Sequence, residues 1–229
     1  MTGPARIDHL VVVADTLEQG SAWCERTLGV APGPGGEHAL MGTHNRLLRI
    51  ATVDYPRAYF EVIARNPASD GPQQGRRRWF DMDDPALNTS VREQGPRLAH
   101  WVVQVPDVRA AVGALARLGI DRGEVVQTSR PTPRGLLQWQ ITIRSDGQRL
   151  FDGCLPTLIE WGDVHPAATM PESGVTLHGL AVTHPEAALL SRAFAAIGLE
   201  GVRVEQGPSN LCATLLTPTG TVRLESSRT

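Results

Sequence analysis

Three histidines and three glutamates stand at matched places along the 229 residues: His9 in IDHLVVV with Glu61 in AYFEVI, His100 in LAHWVV with Glu160 in TLIEWG, and His178 in TLHGLAV with Glu225 in TVRLES. Each His lies in a run that alternates like a strand, and so does each Glu. A carboxylate inside an apolar run such as AYFEVI is costly unless a cation or hydrogen-bond donors meet it. A divalent metal ion would satisfy that requirement. Two imidazoles and two carboxylates, His9, Glu61, His100 and Glu160, would neutralise such an ion and leave one or two positions open for water or substrate. The third pair, His178 and Glu225, lies in a shorter copy with Gly179 after its His, and is set apart from the expected site.

The elements that would carry these residues form a repeat. After each His-bearing strand comes a helical pattern, and after each helix a glycine: Gly29, Gly119 and Gly198, at 20, 19 and 20 residues from the corresponding His. Asp15 or Thr16 is the expected N-cap of the first helix. In the second helix Val108, Ala111, Val112, Leu115 and Leu118 form a stripe of period 3.6, and in the third Leu189, Leu190, Ala193, Phe194 and Ile197 do the same. Short strand-like runs follow: HALMG, LLRIAT and AYFEVIA in the first copy, VVQTS, LQWQITI and TLIEWG in the second, VRVEQ, CATLLTP and TVRLES in the third. The order is βαβββ three times, with modules at 1–65, 98–163 and 164–229 and a Gly/Pro-rich linker at 66–97 that holds a short helix after Asp84-Pro85. Alternation in the first strand is expected to put Ile7, His9, Val11 and Val13 on one face, with Leu10 and Val12 against the helix.

Composition limits the remaining chemistry. With 41% hydrophobic, 20% charged and 5% aromatic residues the chain is globular, and its net charge of −2 offers no attraction for nucleic acid or anionic lipid. All 22 basic residues are Arg. Without Lys, Schiff-base, pyridoxal-phosphate and P-loop chemistries are excluded. Leu10 to Ala14 is too short for a signal-peptide core or a membrane span, so the protein reads as cytoplasmic. Cys24, Cys154 and Cys212 lack disulfide or zinc spacing. Trp23, Trp101 and Trp161 neighbour core positions and read as packing residues.

The opening DHLVVV, the GTHNRLLRI segment, the YFEVIA strand and the LIEWGDVHP run resemble the vicinal-oxygen-chelate superfamily, and within it the glyoxalase-like domain proteins. The resemblance covers about residues 5 to 166. It implies an α+β fold of paired βαβββ modules forming an open mixed-sheet barrel, with an extra third C-terminal module here. It also implies a divalent metal (Ni, Co, Zn, Mn or Fe) held by His9, Glu61, His100 and Glu160. The implied activity is that of a lyase or isomerase acting on a small vicinal-oxygen substrate, an α-oxo or hydroxy-carbonyl compound, through a chelated enediolate. Glu61 or Glu160 would then serve as the catalytic base. His44 and Asn45 of the GTHN loop, with Arg134 and Trp139, are the expected substrate-binding residues, Arg being suited to an anionic substrate. A homodimer is expected. The alternatives are an extradiol-type dioxygenase with iron on two His and one carboxylate, and a metal-free small-molecule binding or resistance protein.

Overall fold

The computed structural model describes residues 3–132 and 135–227. Its first unit runs β1 (Arg6–Val13), α1 (Leu17–Leu28), β2 (Gly33–His38), β3 (Thr43–Arg49) and β4 (Tyr59–Arg65). A linker helix, α2 (Pro85–Gln94), precedes β5 (Arg97–Gln104), α3 (Val108–Ala116), β6 (Glu124–Thr132), β7 (Gly135–Ile143) and β8 (Thr157–Trp161). The chain finishes with β9 (Thr176–His184), α4 (Ala187–Ala196), β10 (Arg203–Gln206), β11 (Asn210–Thr217) and β12 (Gly220–Glu225).

Local chemistry sets the helix ends. Thr16, not Asp15, caps α1 by accepting from the Gln19 N–H, while Asp84 and Asp107 do the same for α2 and α3. Gly29, Gly119 and Gly198 all take the left-handed conformation just past a helix, with φ of 74°, 78° and 71°. The strand after α1 lies earlier than HALMG suggests, because the Gly/Pro segment Gly33–His38 pairs with β3 although it offers no apolar alternation.

Eight strands form one curled, open half-barrel sheet in the order β2-β3-β4-β1-β5-β8-β7-β6. Within each half the first strand lies parallel to the last, β1 with β4 and β5 with β8, and the halves join through the antiparallel pair β1/β5. The last four strands make a separate sheet, β10-β9-β11-β12, in which β11 lies between β9 and β12. Its connection therefore differs from that of the first two units. Because β9 and β12 are not neighbours, His178 and Glu225 are separated by a strand, and both are exposed.

The convex side of the large sheet packs on α1 and α3, and the third unit extends the same core. Leu10, Val12, Phe60, Trp101, Leu115, Leu190 and Phe194 belong to one continuous buried cluster. Trp101 meets Phe194 of α4 edge to face at 5.5 Å and donates its indole N–H to Cys154 O. A smaller apolar cluster, including Val11, Ile63, Phe80, Val102, Ile141 and Ile159, occupies the concave side.

That continuity yields a stability test. Phe194→Ala should cost about 3–5 kcal/mol, as for other buried aromatics. The loss should appear in one cooperative denaturant transition; two separated transitions would show that the third unit unfolds alone.

Candidate functional site

Two bulges aim the site. In β1, Ile7 pairs with Val103 and His9 with Val102, so Asp8 is an extra residue. A bulge of this kind re-aims side chains. Ile7 consequently joins the helix-side core, departing from simple alternation, while Asp8 and His9 both serve the concave side. The mirror feature occurs in β5, where Val11 pairs with His100 and Val12 with Leu98, making Ala99 the extra residue.

Asp8 is fully buried, and its carboxylate is met by three donors. His9 Nδ1 lies 2.6 Å from Oδ1, and His165 Nε2 and Trp161 Nε1 lie 2.9 and 2.8 Å from Oδ2. Burial alone would raise the Asp8 pKa; the hydrogen bonds from His165 and His9 outweigh it and hold the carboxyl well below its ordinary value. The partners also assign tautomers. His165 Nδ1 accepts from the Ala167 N–H, so its Nε2 carries the proton given to Asp8. His9 gives Nδ1–H to Asp8 and turns Nε2 toward Glu61 Oε2, 3.5 Å away.

Glu61 and Asn45 come together because odd positions of β3 face the cavity and Glu61 pairs in register with Leu47. Asn45 Nδ2 donates to Glu61 Oε1 at 2.5 Å, and Asn45 Oδ1 accepts from the Gly36 N–H at 2.7 Å. His38 Nε2 lies 3.8 Å from the same carboxylate oxygen. Tyr59 stacks on His9 at 4.4 Å. These groups line a small cavity whose further walls include Trp79, Arg130, Trp139 and Trp161. Arg130 makes no ion pair among the described residues.

Of the expected site residues, His9, Glu61, Asn45 and Trp139 meet at this cavity. His44 occupies an even position of β3 and lies on the convex side, where Glu18, Glu37 and Arg46 are its charged neighbours. Arg134 lies outside the described residues. His100 is fully buried on the concave side, but both of its nitrogens are engaged: Nδ1 donates to Gly153 O, and Nε2 accepts from the Thr157 N–H and lies 3.0 Å from Thr157 Oγ1. Glu160 points to the other face, where its carboxylate accepts from the Val108 N–H at 2.9 Å and caps α3. Register explains the difference. Val11, two residues after His9, pairs with Glu61, whereas Val102, two residues after His100, pairs with Thr157. Thr157 thus takes the place in the second half that Glu61 takes in the first.

The four donors expected around a divalent metal therefore do not converge and do not fit one ion. Among the described residues no group of three or more His, Cys, Asp or Glu has the geometry to hold one. Asp8, His38, Arg130 and His165 are members of the site that sequence reasoning missed. The signals were present in IDH, GGEHA, TSRP and GDVHP, but nothing in their spacing links them. Trp161, read as packing, is a hydrogen-bond donor to the buried carboxylate.

Burial lowers the pKa of His38 from 6.5 to about 4, with the nearby Glu61 charge opposing. A histidine that stays neutral in the fold while the unfolded chain takes a proton makes stability fall as pH drops, here from 6.5 toward 4, by at most ~1.4 kcal/mol per pH unit. His38→Gln should make that decline shallower in denaturant titrations. Parallel curves for the two proteins would show that His38 is not held neutral.

A family model described as a glyoxalase-like domain matches residues 7–198. No curated protein matches the sequence. Among solved structures, a hypothetical protein from Staphylococcus aureus is similar with a TM-score of 0.57 at 16% identity, over 90% of this chain and 87% of that one. A methylmalonyl-CoA epimerase in complex with methylmalonyl-CoA has a TM-score of 0.44 at 16% identity, over 74% of this chain and 100% of that one. The epimerase from Mycobacterium tuberculosis has a TM-score of 0.38 at 15% identity, over 71% and 91%. The match across most of the sequence, with the eight-stranded open sheet, establishes that the chain belongs to the glyoxalase-like domain family of the vicinal-oxygen-chelate superfamily.

Proposed function

We propose that the protein is an isomerase or lyase that moves a proton on the carbon beside a carbonyl of a small anionic α-oxo or hydroxy-carbonyl substrate. The observation that carries this reading is the buried pair formed by His9 Nε2 and Glu61 Oε2, 3.5 Å apart on the wall of the cavity. Membership of the superfamily supports the reaction class.

The proton chemistry follows from the partners. Glu61 takes the proton from carbon, the C–H electron pair becomes a C=C bond and the carbonyl π pair moves onto oxygen, forming an enolate, or an enediolate where the carbon carries a hydroxyl. Asn45 holds the other carboxylate oxygen of Glu61, leaving Oε2 as the reacting atom. A proton taken there is within reach of His9 Nε2, and Asp8 stabilises the imidazolium that results. Asp8 acts through His9 and is a positioning residue. Return of the proton to the neighbouring carbon or to the opposite face is isomerisation, and loss of a leaving group from the neighbouring carbon is elimination. Arg130 supplies the cation for the substrate's anionic group.

Exchange of the C3 protons of 2-oxobutanoate in deuterium oxide, followed by NMR, tests the reading without knowledge of the natural substrate. The protein should accelerate exchange, and Glu61→Gln should lower the rate by about 10²–10⁴-fold. Equal rates for the two proteins would refute Glu61 as the base, and binding of the acid without exchange would make the protein a binder instead of an enzyme. Asp8→Asn should lower kcat more than it raises KM and displace the pH profile, because His9 loses the partner that fixes its tautomer.

A further inference from the structure

The cavity at Glu61 is too small for a whole substrate. Its volume is ≈ 40 Å³, room for roughly three water molecules. A second chamber of ≈ 250 Å³ adjoins it, and the two share His38, Trp79, Arg130, Trp139 and Ile141 as walls. Leu40, Met41 and Ile143 add to the apolar lining of the larger space, with Glu37 the acidic residue at its exposed edge. An apolar cavity of about 150 Å³ is enough for benzene, so this chamber accommodates a phenyl ring and a short linker.

Two polar features lie at the junction. Arg130 of β6 lines both chambers, and its guanidinium lies so close to Gly36 that a Cβ there would collide with it. The indole N–H of Trp79, which also lines both chambers, is buried without a hydrogen-bond partner among the described residues. A buried donor without a partner is costly, and an acceptor on a bound ligand would remove that cost.

We infer that the natural ligand is a carboxylate with an aryl-sized apolar tail: the acidic head lies against Arg130 at the junction, with its carbonyl toward Glu61, and the tail fills the chamber between Trp79 and Trp139. Placing the carbonyl rests on the proton-transfer reading above; the head-and-tail recognition does not. Trp139, expected from sequence to face substrate, would pack against the tail. Arg130 would take the role expected of an arginine from that hairpin.

Binding of 3-phenylpropanoate, propanoate and 3-phenyl-1-propanol to the full chain, measured by calorimetry, tests the assignment. The phenyl acid should bind about tenfold to a hundredfold more tightly than propanoate, as burial of an aromatic side chain predicts. Arg130→Met should remove the preference for the acid over the alcohol while keeping the preference for the aryl group. Thr128→Trp, which fills the chamber from the same end strand of the sheet, should bring the phenyl acid to the affinity of propanoate. Equal binding of phenylpropanoate and propanoate by the unaltered protein would overturn the inference, as would an acid preference that survives Arg130→Met. Neither outcome bears on Glu61 as the base, although an acid preference that survives Arg130→Met would also remove Arg130 from the proposed reaction; absence of 2-oxobutanoate exchange with the aryl preference intact would overturn the proton-transfer reading alone.

Discussion

The site depends on a charge held where a charge is expensive. Asp8 is completely buried, and a lone carboxylate in such a place would take up a proton instead of ionising. It stays ionised because its donors are fixed by separate parts of the fold: His9 by the same bulge, Trp161 by the end of β8, and His165 by the turn whose Ala167 N–H its Nδ1 accepts. Those partners lie 153 and 157 residues away along the chain for Trp161 and His165. Folding of both halves and of the segment after β8 is thus a condition for the orientation of His9. The bulge matters as much as the charge, since without the extra residue Asp8 would turn into the apolar helix-side core.

Pseudo-symmetry makes the contrast between the two halves informative. Both strands at the central pair carry one extra residue just before a histidine, Asp8 in β1 and Ala99 in β5. An acid in the first position creates a polarised imidazole facing a carboxylate. Alanine in the second leaves His100 to satisfy itself on Gly153 and Thr157, and burial beside Arg122 and Arg149 keeps its pKa well below the ordinary value. In the proposed reaction the first half accordingly supplies the proton-handling groups. The second supplies walls and a cation, Trp139, Trp161 and Arg130, from strands whose alternate positions face the same cavity. On that reading one repeated scaffold is divided between chemistry and enclosure.

The sequence showed the order of elements because that order is local: a strand pattern, a cap, a helical stripe and a glycine in left-handed conformation are read within twenty or so residues. Which strand pairs with which is not local. Stop glycine to glutamate spans 32 residues in the first unit and 41 in the second, and a surplus of that size absorbs any offset in register. Glu160 therefore came out on the wrong side of β8 for a shared site, and the four-donor metal set failed with it. Asn45 and His44 were adjacent candidates that strand alternation separates, so only one reaches the cavity. The third unit repeats the order of elements yet threads its last strand to the outer edge, which takes Glu225 away from His178. Asp8 was hidden for a different reason: alternation assigns an aspartate between Ile7 and His9 to the helix side, and only pairing irregularity with a distant strand reverses that.

The same geometry links the rim of the cavity to its base. Arg130 packs over Gly36, the Gly36 N–H fixes the Asn45 amide, and that amide holds Glu61. A side chain at Gly35 would strike Asn45 itself, so the turn must stay bare for the backbone to approach. An anion arriving at Arg130 would pull on a group in direct contact with the strand β2 that orients the Glu61 carboxylate, the base of the proposed reaction. In the proposed reaction, recognition of charge at the rim and alignment of the base are two ends of one short chain of contacts, with no flexible side chain between Gly36 and Glu61 except an amide hydrogen-bonded at both ends. Because the Asn45–Glu61 hydrogen bond is buried, its direction is kept by the fold and need not be established by a substrate. A carboxylate tethered by Asn45 on Oε1 leaves Oε2, beside His9, as the oxygen that faces a substrate, and in the proposed reaction that constraint of direction is what the cavity would contribute to proton transfer.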